Sequence, residues 1–518
     1  MLFHSSMLKI TLVLCLSALP APAKTIYLSA GGDDNSACGA GAEFATLEAA
    51  LGCLDAGDTL FVREGEYTGG PLVELDGTAE APIVLMGESL NAVIDTSNRD
   101  NRDNLRLDHS SHVIVDGLTF RRSSRAGLSL IRCDHITVRN CVFANNYKWG
   151  LFTGFADDVL FENNESYGAR DEHGIYHSNS GNRFIIRGNH VHHNRGNGIH
   201  LNGDPELMSE PGDDGVLNFG IVERNIIHDN GAGGGAGINM THVQDIICRN
   251  NLIYNNFAGG FTYYADTDDQ RYTSRRALIM HNTVHFKSGG RAVINIQSTS
   301  KSTVIVNNIL VSGGFEPVLQ MWSDYSSTMI SDYNLFWGID SSNNIVTTSD
   351  RLGYSLGNWR SNSGNDKHTR YADPSFVSVP DTSFVPSDTS AAVDAAAPMD
   401  TVRAMVASLD SAGWLLGRLD SIRIEDINEN LRPAGDGPDI GAFEVGAGPE
   451  SLYDFNNDGR FNVADALSLL LKGLRNPGEE SYDIDDDGVW SIGDVIALLR
   501  IMMENSSLLA ANDDAYSL

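Results

Sequence analysis

The chain has 518 residues, 42% hydrophobic and 20% charged, which is more than one ordinary compact core holds and reads as two or three modules. Its formal net charge of −32 argues against nucleic acid and anionic membranes as partners. The charge is uneven: from Arg121 to Arg195, ten basic residues stand against seven acids, and salt screens more distant charges beyond about 8 Å.

The opening stretch MLFHSSMLKITLVLCLSALPAPAK has a lysine, a short apolar run and a small-x-small motif ending at Ala23. Residues 1–23 are expected to be a secretory signal cleaved before Lys24, with the mature protein extracellular. The run is too short for a membrane anchor, and no later segment has the ~20 apolar residues of a membrane helix. Cys15 leaves with the signal; Cys38 and Cys53 are placed to pair across an N-terminal cap. Cys133, Cys141 and Cys248 fall in apolar repeats and read as small buried hydrophobes. A capping helix is expected around Leu47–Leu54, because the end of a stack of strands exposes a raw edge.

The middle of the chain repeats. AGLSL from Ala126, WGLFT from Trp149, HGIYH from His173, NGIHL from Asn197, AGINM from Ala236 and GGFTY from Gly259 follow one another at steps of 23, 24, 24, 39 and 23 residues. Between them run short β-branched pieces interrupted by Asn or Gly, such as ITVRNCVF and FIIRGNHVH. A period near 24 with no helical pattern predicts an all-β solenoid, a right-handed single-stranded parallel β-helix over residues 24–446. Asn140, Asn164, Asn189, Asn225, Asn250, Asn282 and Asn307 are expected to form a structural ladder at one corner.

Aligning the rows assigns faces. Leu128, Leu151, Ile175, Ile199 and Ile238 share an inward column, so Ser129, Phe152, Tyr176, His200 and Asn239 point outward and His177 points inward again. The bend before the third row, with Arg170, Asp171, Glu172 and His173, then stacks between Lys148 and Arg195. Acid, base, aromatic platform and cation thus converge on three successive coils. The insertions GDPELMSEPGDDGVLN and DTDDQRYTSR are expected to wall the groove, with Asp204, Asp213 and Asp214 as a possible calcium set.

The Asp171-x-His173 pattern resembles the Asp-Pro-His stretch of mannuronan epimerases, with Glu172 in place of proline, and Lys148 and Tyr176 suit a uronate lyase or epimerase. The resemblance implies a polysaccharide substrate, a cation on its carboxylate, a base for the carbon acid and a proton donor. The candidate assignment is Arg170, Arg195 or calcium on the carboxylate, His173 or Lys148 as base, Tyr176 as acid and Asp171 as orienting group. Phe152, Arg195 and His200 would bind substrate. Alternatives are a pectinase-type hydrolase, which wants two carboxyls facing one bond, and a non-catalytic glycan binder.

From Asp332 to Val445 the pieces DYNLFW, ADPSFV and RPAGDGPDIGAFE resemble the terminal flank of secreted bacterial β-helix proteins. Then DFNNDGRFNVAD and, 29 residues later, DIDDDGVWSIGD each offer oxygen ligands at positions one, three, five, nine and twelve with Gly at six. Each loop leads into an apolar helix, and residues 447–505 resemble a type I dockerin, followed by a tail over 506–518. The resemblance implies two calcium ions, held by Asp454, Asn456, Asp458, Arg460 (carbonyl), Asn462 and Asp465, and by Asp483, Asp485, Asp487, Val489 (carbonyl), Ser491 and Asp494. It also implies a cohesin-bearing scaffold as partner. Val463–Ala464 and Ile492–Gly493 stand where cellulosomal dockerins often carry a hydroxyl pair. The chain is expected to be a monomer.

Overall fold

The computed structural model describes residues 22–446 except 99–100, 298–299, 323–327, 339–343, 350–352, 381 and 410–412, together with 468–470, 492 and 495–500. Three sheets of 14, 12 and 12 strands run the length of the coil, and nearly all neighbouring strands pair in parallel. Each turn contributes one strand to each sheet, for example Asp134–Arg139, Val142–Ala144 and Trp149–Gly154. The protein is therefore a right-handed parallel β-helix, as the repeat predicts.

The six quoted rows stack in the third sheet in the register that the repeat sets, with Leu128, Leu151, Ile175, Ile199, Ile238 and Phe261 as consecutive partners. Each row has Gly in second place because coils approach closely there. A Cβ on Gly150 would lie 2.7 Å from the Gly174 carbonyl, and one on Gly174 would lie 2.9 Å from the Gly198 carbonyl. Inside, Phe120, Phe143, Phe161, Phe184 and Phe261 are fully buried among Ile, Leu and Val, and the apolar area withdrawn from water is the main stabilising term.

The corner ladder differs in detail from the expectation. Its members are Asn164, Asn189, Asn225, Asn251, Asn282, Asn308 and Asn334; each Oδ1 from Asn189 onward accepts the backbone N–H and side-chain amide of the previous rung. Asn140, Asn250 and Asn307 sit one residue earlier with φ of 53°, 54° and 60°, where asparagine tolerates the left-handed conformation. In doubled asparagines such as Asn250–Asn251 the first residue makes the turn and the second the ladder, a distinction the alignment alone did not make.

Cys38 and Cys53 form a disulfide beside the short capping helix α1 (Leu47–Leu51), and Cys133, Cys141 and Cys248 are buried thiols. The C-terminal flank adds helices that the β reading lacked: α2 (Leu356–Ser363), α3 (Met399–Ala407) and α4 (Gly413–Leu419). Val402, Val406, Leu415 and Leu419 pack on Ile247, Leu278, Val304 and Val306, covering part of the first sheet's outer face. That cover explains why strands such as Val243–Arg249 and Thr303–Val306 are buried on both sides, with the apolar stretches Ile246–Cys248 and Val304–Val306 where a half-exposed strand would alternate. The flank is pinned to the coil by Asn250 and Asn307, whose side-chain amides donate to the Glu425 and Ala397 carbonyls at 2.6 and 3.0 Å, and is braced internally by a buried Arg432–Glu444 pair at 2.8 Å. No helix among the described residues is long and apolar enough to cross a membrane. All the expected calcium ligands of both loops lie outside the described residues, while the described parts of the following segments, 468–470 and 495–500, are helical.

Candidate functional site

The outward column of the third sheet runs Ser129, Phe152, Tyr176, His200, Asn239, Thr262, Asn295, with one residue per coil. Its centre is aromatic. Phe152 stacks on Trp149 at 4.3 Å between centroids, and Tyr176 stacks on His200 at 4.9 Å. Around it lie the groups of the bend. Lys148 Nζ donates to Glu172 Oε1 at 2.5 Å, and the Trp149 indole N–H donates to Glu172 Oε2 at 2.7 Å. About a third of the Lys148 and Glu172 side chains remains exposed, so both are reachable from solvent.

His173 is enclosed. The Asn197 backbone N–H donates to its Nδ1 at 3.0 Å, so the proton of the neutral ring sits on Nε2. Nε2 then donates to His200 Nδ1 at 2.9 Å, and His200 carries its own proton on Nε2. Burial, and next the charge of Lys148, pushes the His173 pKa down to about 3, and burial holds His200 well below its ordinary value. Both rings are neutral near pH 7. Burial raises the Tyr176 pKa, so its hydroxyl stays protonated; the Asn202 side-chain amide donates to that oxygen at 3.1 Å.

The structure thus brings together Lys148, Phe152, His173, Tyr176 and His200, and it separates the rest. Asp171 faces Arg195, with Oδ1 3.5 Å from NH1, because it and Glu172 are consecutive in the bend and turn to opposite sides. Arg170 and Arg195 line a cleft of about 530 Å³ at the adjoining corner, with His193, Asp229 and Phe257. Two expected roles are corrected accordingly: Arg170 and Arg195 line the adjoining corner rather than the aromatic strip, and His173 has no free lone pair with which to act as base. Asp171 pairs with Arg195, the neighbour that the stacking of rows gives it. His177 lies in the core as expected, with Nδ1 2.6 Å from Thr153 Oγ1, and burial alone lowers its pKa to about 3.

Two residues to which the sequence reading gave no role belong to the site. Glu172, stacked beside Lys148 as expected, joins it to Trp149, and Arg125 extends the basic column one coil earlier, its guanidinium 5.7 Å from the Phe152 ring centroid and held by the buried Asp103. Their signal was present: Arg125, Lys148 and Glu172 each stand directly before a quoted row.

The two insertions do meet. Asp204, Pro205 and Glu206 from the first and Asp266, Thr267 and Asp269 from the second line a cleft of about 440 Å³ that begins at Asn202, the residue bonded to Tyr176. Asp213 is engaged with Arg132 and with the N–H groups of Ser209 and Glu210, and Asp214 with Val216 and Asn218, so the trio Asp204, Asp213 and Asp214 does not face one point. On the outward columns, His200 Nε2, Asn239 Oδ1, Thr241 Oγ1 and Asn295 Nδ2 are buried without a hydrogen-bond partner among the described residues.

Residues 57–209 match a family model described as Periplasmic copper-binding protein (NosD). No curated protein matches. Among solved structures, a pectate lyase is 16% identical with a TM-score of 0.49, the alignment covering 82% of this chain and 96% of that one. The A-module of a mannuronan C-5 epimerase from Azotobacter vinelandii is 18% identical, TM-score 0.45, covering 61% and 91%. An alginate lyase from a Paenibacillus species is 18% identical, TM-score 0.41, covering 50% and 91%.

Proposed function

We propose that this protein acts on a uronate-containing polysaccharide laid along the outer face of the third sheet, by β-elimination or by epimerisation. The observation that carries this reading is the meeting of Lys148, Glu172, the Phe152 and Tyr176 rings and the neutral His173–His200 pair on three successive coils. Sugar rings offer apolar C–H faces to aromatic side chains, and unpaired polar atoms along the same columns would regain partners on binding, each unmade bond costing about 1–3 kcal/mol.

In this reading the substrate carboxylate takes Lys148 from Glu172. Glu172, still held by the Trp149 indole, becomes the base that removes the proton beside the carboxylate. Tyr176, kept protonated by burial, donates to the leaving oxygen in elimination or returns the proton to the opposite face in epimerisation. His173 and His200 position Tyr176. Hydrolysis is less favoured because Asp171 and Glu172 face apart. The test is incubation with panels of alginate, pectin and glycosaminoglycans. A lyase raises ultraviolet absorbance through its unsaturated product, an epimerase changes the uronate composition without that rise, a hydrolase gives reducing ends alone, and a binder gives only a mobility shift. Either of the last two outcomes contradicts the proposed chemistry.

Secretion through residues 1–23 and docking through residues 447–505 are part of the same proposal, supported by the signal pattern and the paired calcium-loop spacing. Capture by a cohesin panel in calcium and release in chelator tests the docking; capture in neither condition removes it.

A further inference from the structure

The outer face of the second sheet carries a separate constellation that the glycan reading leaves unused. Glu165 and His190 pair across adjacent coils in one outward column; Tyr167, His192, His228 and Tyr254 follow one another in the next. His228 Nδ1 lies 2.8 Å from Asp229 Oδ2 and donates to it, which leaves the lone pair of His228 on Nε2. That lone pair faces His190 Nε2 at 2.8 Å. His192 Nε2 lies 3.0 Å from Glu165 Oε1, and its Nδ1 lies 2.8 Å from His193 Nδ1. One ligand atom from each of Glu165, His190 and His192 lies within 4.8 Å of the other two.

Ring stacking explains part of this. Tyr167, His192, His228 and Tyr254 form a ladder with centroids 5.1, 5.0 and 4.6 Å apart. Stacking does not explain why His190 and Glu165 fill the neighbouring column, nor why a carboxylate holds the outer nitrogen of His228 so that its inner lone pair turns onto His190. A carboxylate behind a histidine whose other nitrogen points at a shared centre is the pattern of an oriented metal ligand.

We propose that Glu165, His190, His192 and His228 form a binding site for a divalent transition-metal ion, with Asp229 as the outer partner of His228. Imidazole with one carboxylate suits an ion of intermediate softness such as zinc rather than calcium or magnesium, which take oxygen ligands. In a tetrahedral site with bonds of about 2.0–2.1 Å, ligand nitrogens sit about 3.3 Å apart, so the His190 and His228 rings part by about half an ångström on binding. The ion would tie together three coils at the turn that the 36-residue step between Asn189 and Asn225 stretches, which gives it a stapling role distinct from the third-sheet site.

The test uses the full chain without a histidine tag, in excess calcium so that calcium sites are filled. Zinc titration by calorimetry and the visible spectrum of the cobalt-loaded protein are read together. Wild type binds zinc at this site and gives the intense cobalt absorbance of a tetrahedral nitrogen–oxygen set. H190A/H228A loses one equivalent, while D229N weakens that equivalent about 10–100-fold. H112A/H135A, which removes the other histidine cluster, leaves it in place. Unchanged stoichiometry in H190A/H228A, or no zinc and no tetrahedral cobalt spectrum in wild type, overturns the proposal. Should the double variant fail to fold, the wild-type spectrum and its change in Glu165→Gln decide. None of these readouts depends on glycan activity.

Discussion

The asparagine corner and the outer face of the third sheet are both columns of polar residues stacked coil on coil, and they behave in opposite ways. At the corner the same residue recurs through seven rungs from Asn164 to Asn334, and each side-chain amide is spent on the neighbouring coils. On the outer face the residue changes at nearly every coil, from Ser129 through Phe152, Tyr176 and His200 to Asn239, and His200, Asn239 and Asn295 each hold a buried polar atom without a partner among the described residues. In a solenoid, a column that must hold the coils together is selected to be uniform, because every rung solves the same problem. A column that meets a ligand faces a different part of that ligand at each rung.

The largest effect that would sharpen this contrast is on turnover. Glu172→Gln is expected to cut the glycan reaction by about 10³-fold, as loss of a general base does, while the melting temperature stays near wild type. A melt lowered as much as by a ladder mutation would break the contrast. Asn225→Ala should do the reverse. It strands the Ile186 carbonyl and the Asn189 N–H, costing about 3–5 kcal/mol in denaturant unfolding.

An effect confined to acid, and so absent under the neutral conditions of the first two tests, comes from His177 beneath the site. Its folded pKa of about 3 lies below the unfolded value of about 6.5, so the unfolded chain binds more protons between these limits. Its contribution is complete above about pH 6.5 and is lost as pH falls toward 3, at about 1.4 kcal/mol per unit. His177→Leu should flatten the stability profile across that window, measured by melts at several pH values. Smallest is Arg183→Ala. Arg183 bonds Asp157 and Asp158 but is half exposed, and its removal should cost under about 1 kcal/mol in the same denaturant assay.

Much of the fold was legible because a β-helix repeats its rows. The register of the third sheet, the inward place of His177 and the glycine in second position follow from aligning six short segments. The flank helices were not, since α3 and α4 occur once and their apolar faces answer to Ile247 and Leu278 on a distant sheet. The site was legible in position and less so in role. Alignment stacks Lys148 next to Glu172, but only coordinates show that Asn197 occupies Nδ1 of His173 and that Arg170 and Arg195 open onto another corner. Hydrogen-bond direction is a property of the folded backbone, and no spacing in the sequence encodes it.

The most direct measurement is the structure of the Glu172→Gln protein soaked with oligouronates drawn from the same panel. A sugar carboxylate at Lys148 with its ring over Phe152 and its scissile region at Tyr176 is the predicted result. An oligosaccharide seated instead at the Arg170–Arg195 corner, with the third-sheet face bare, would contradict it.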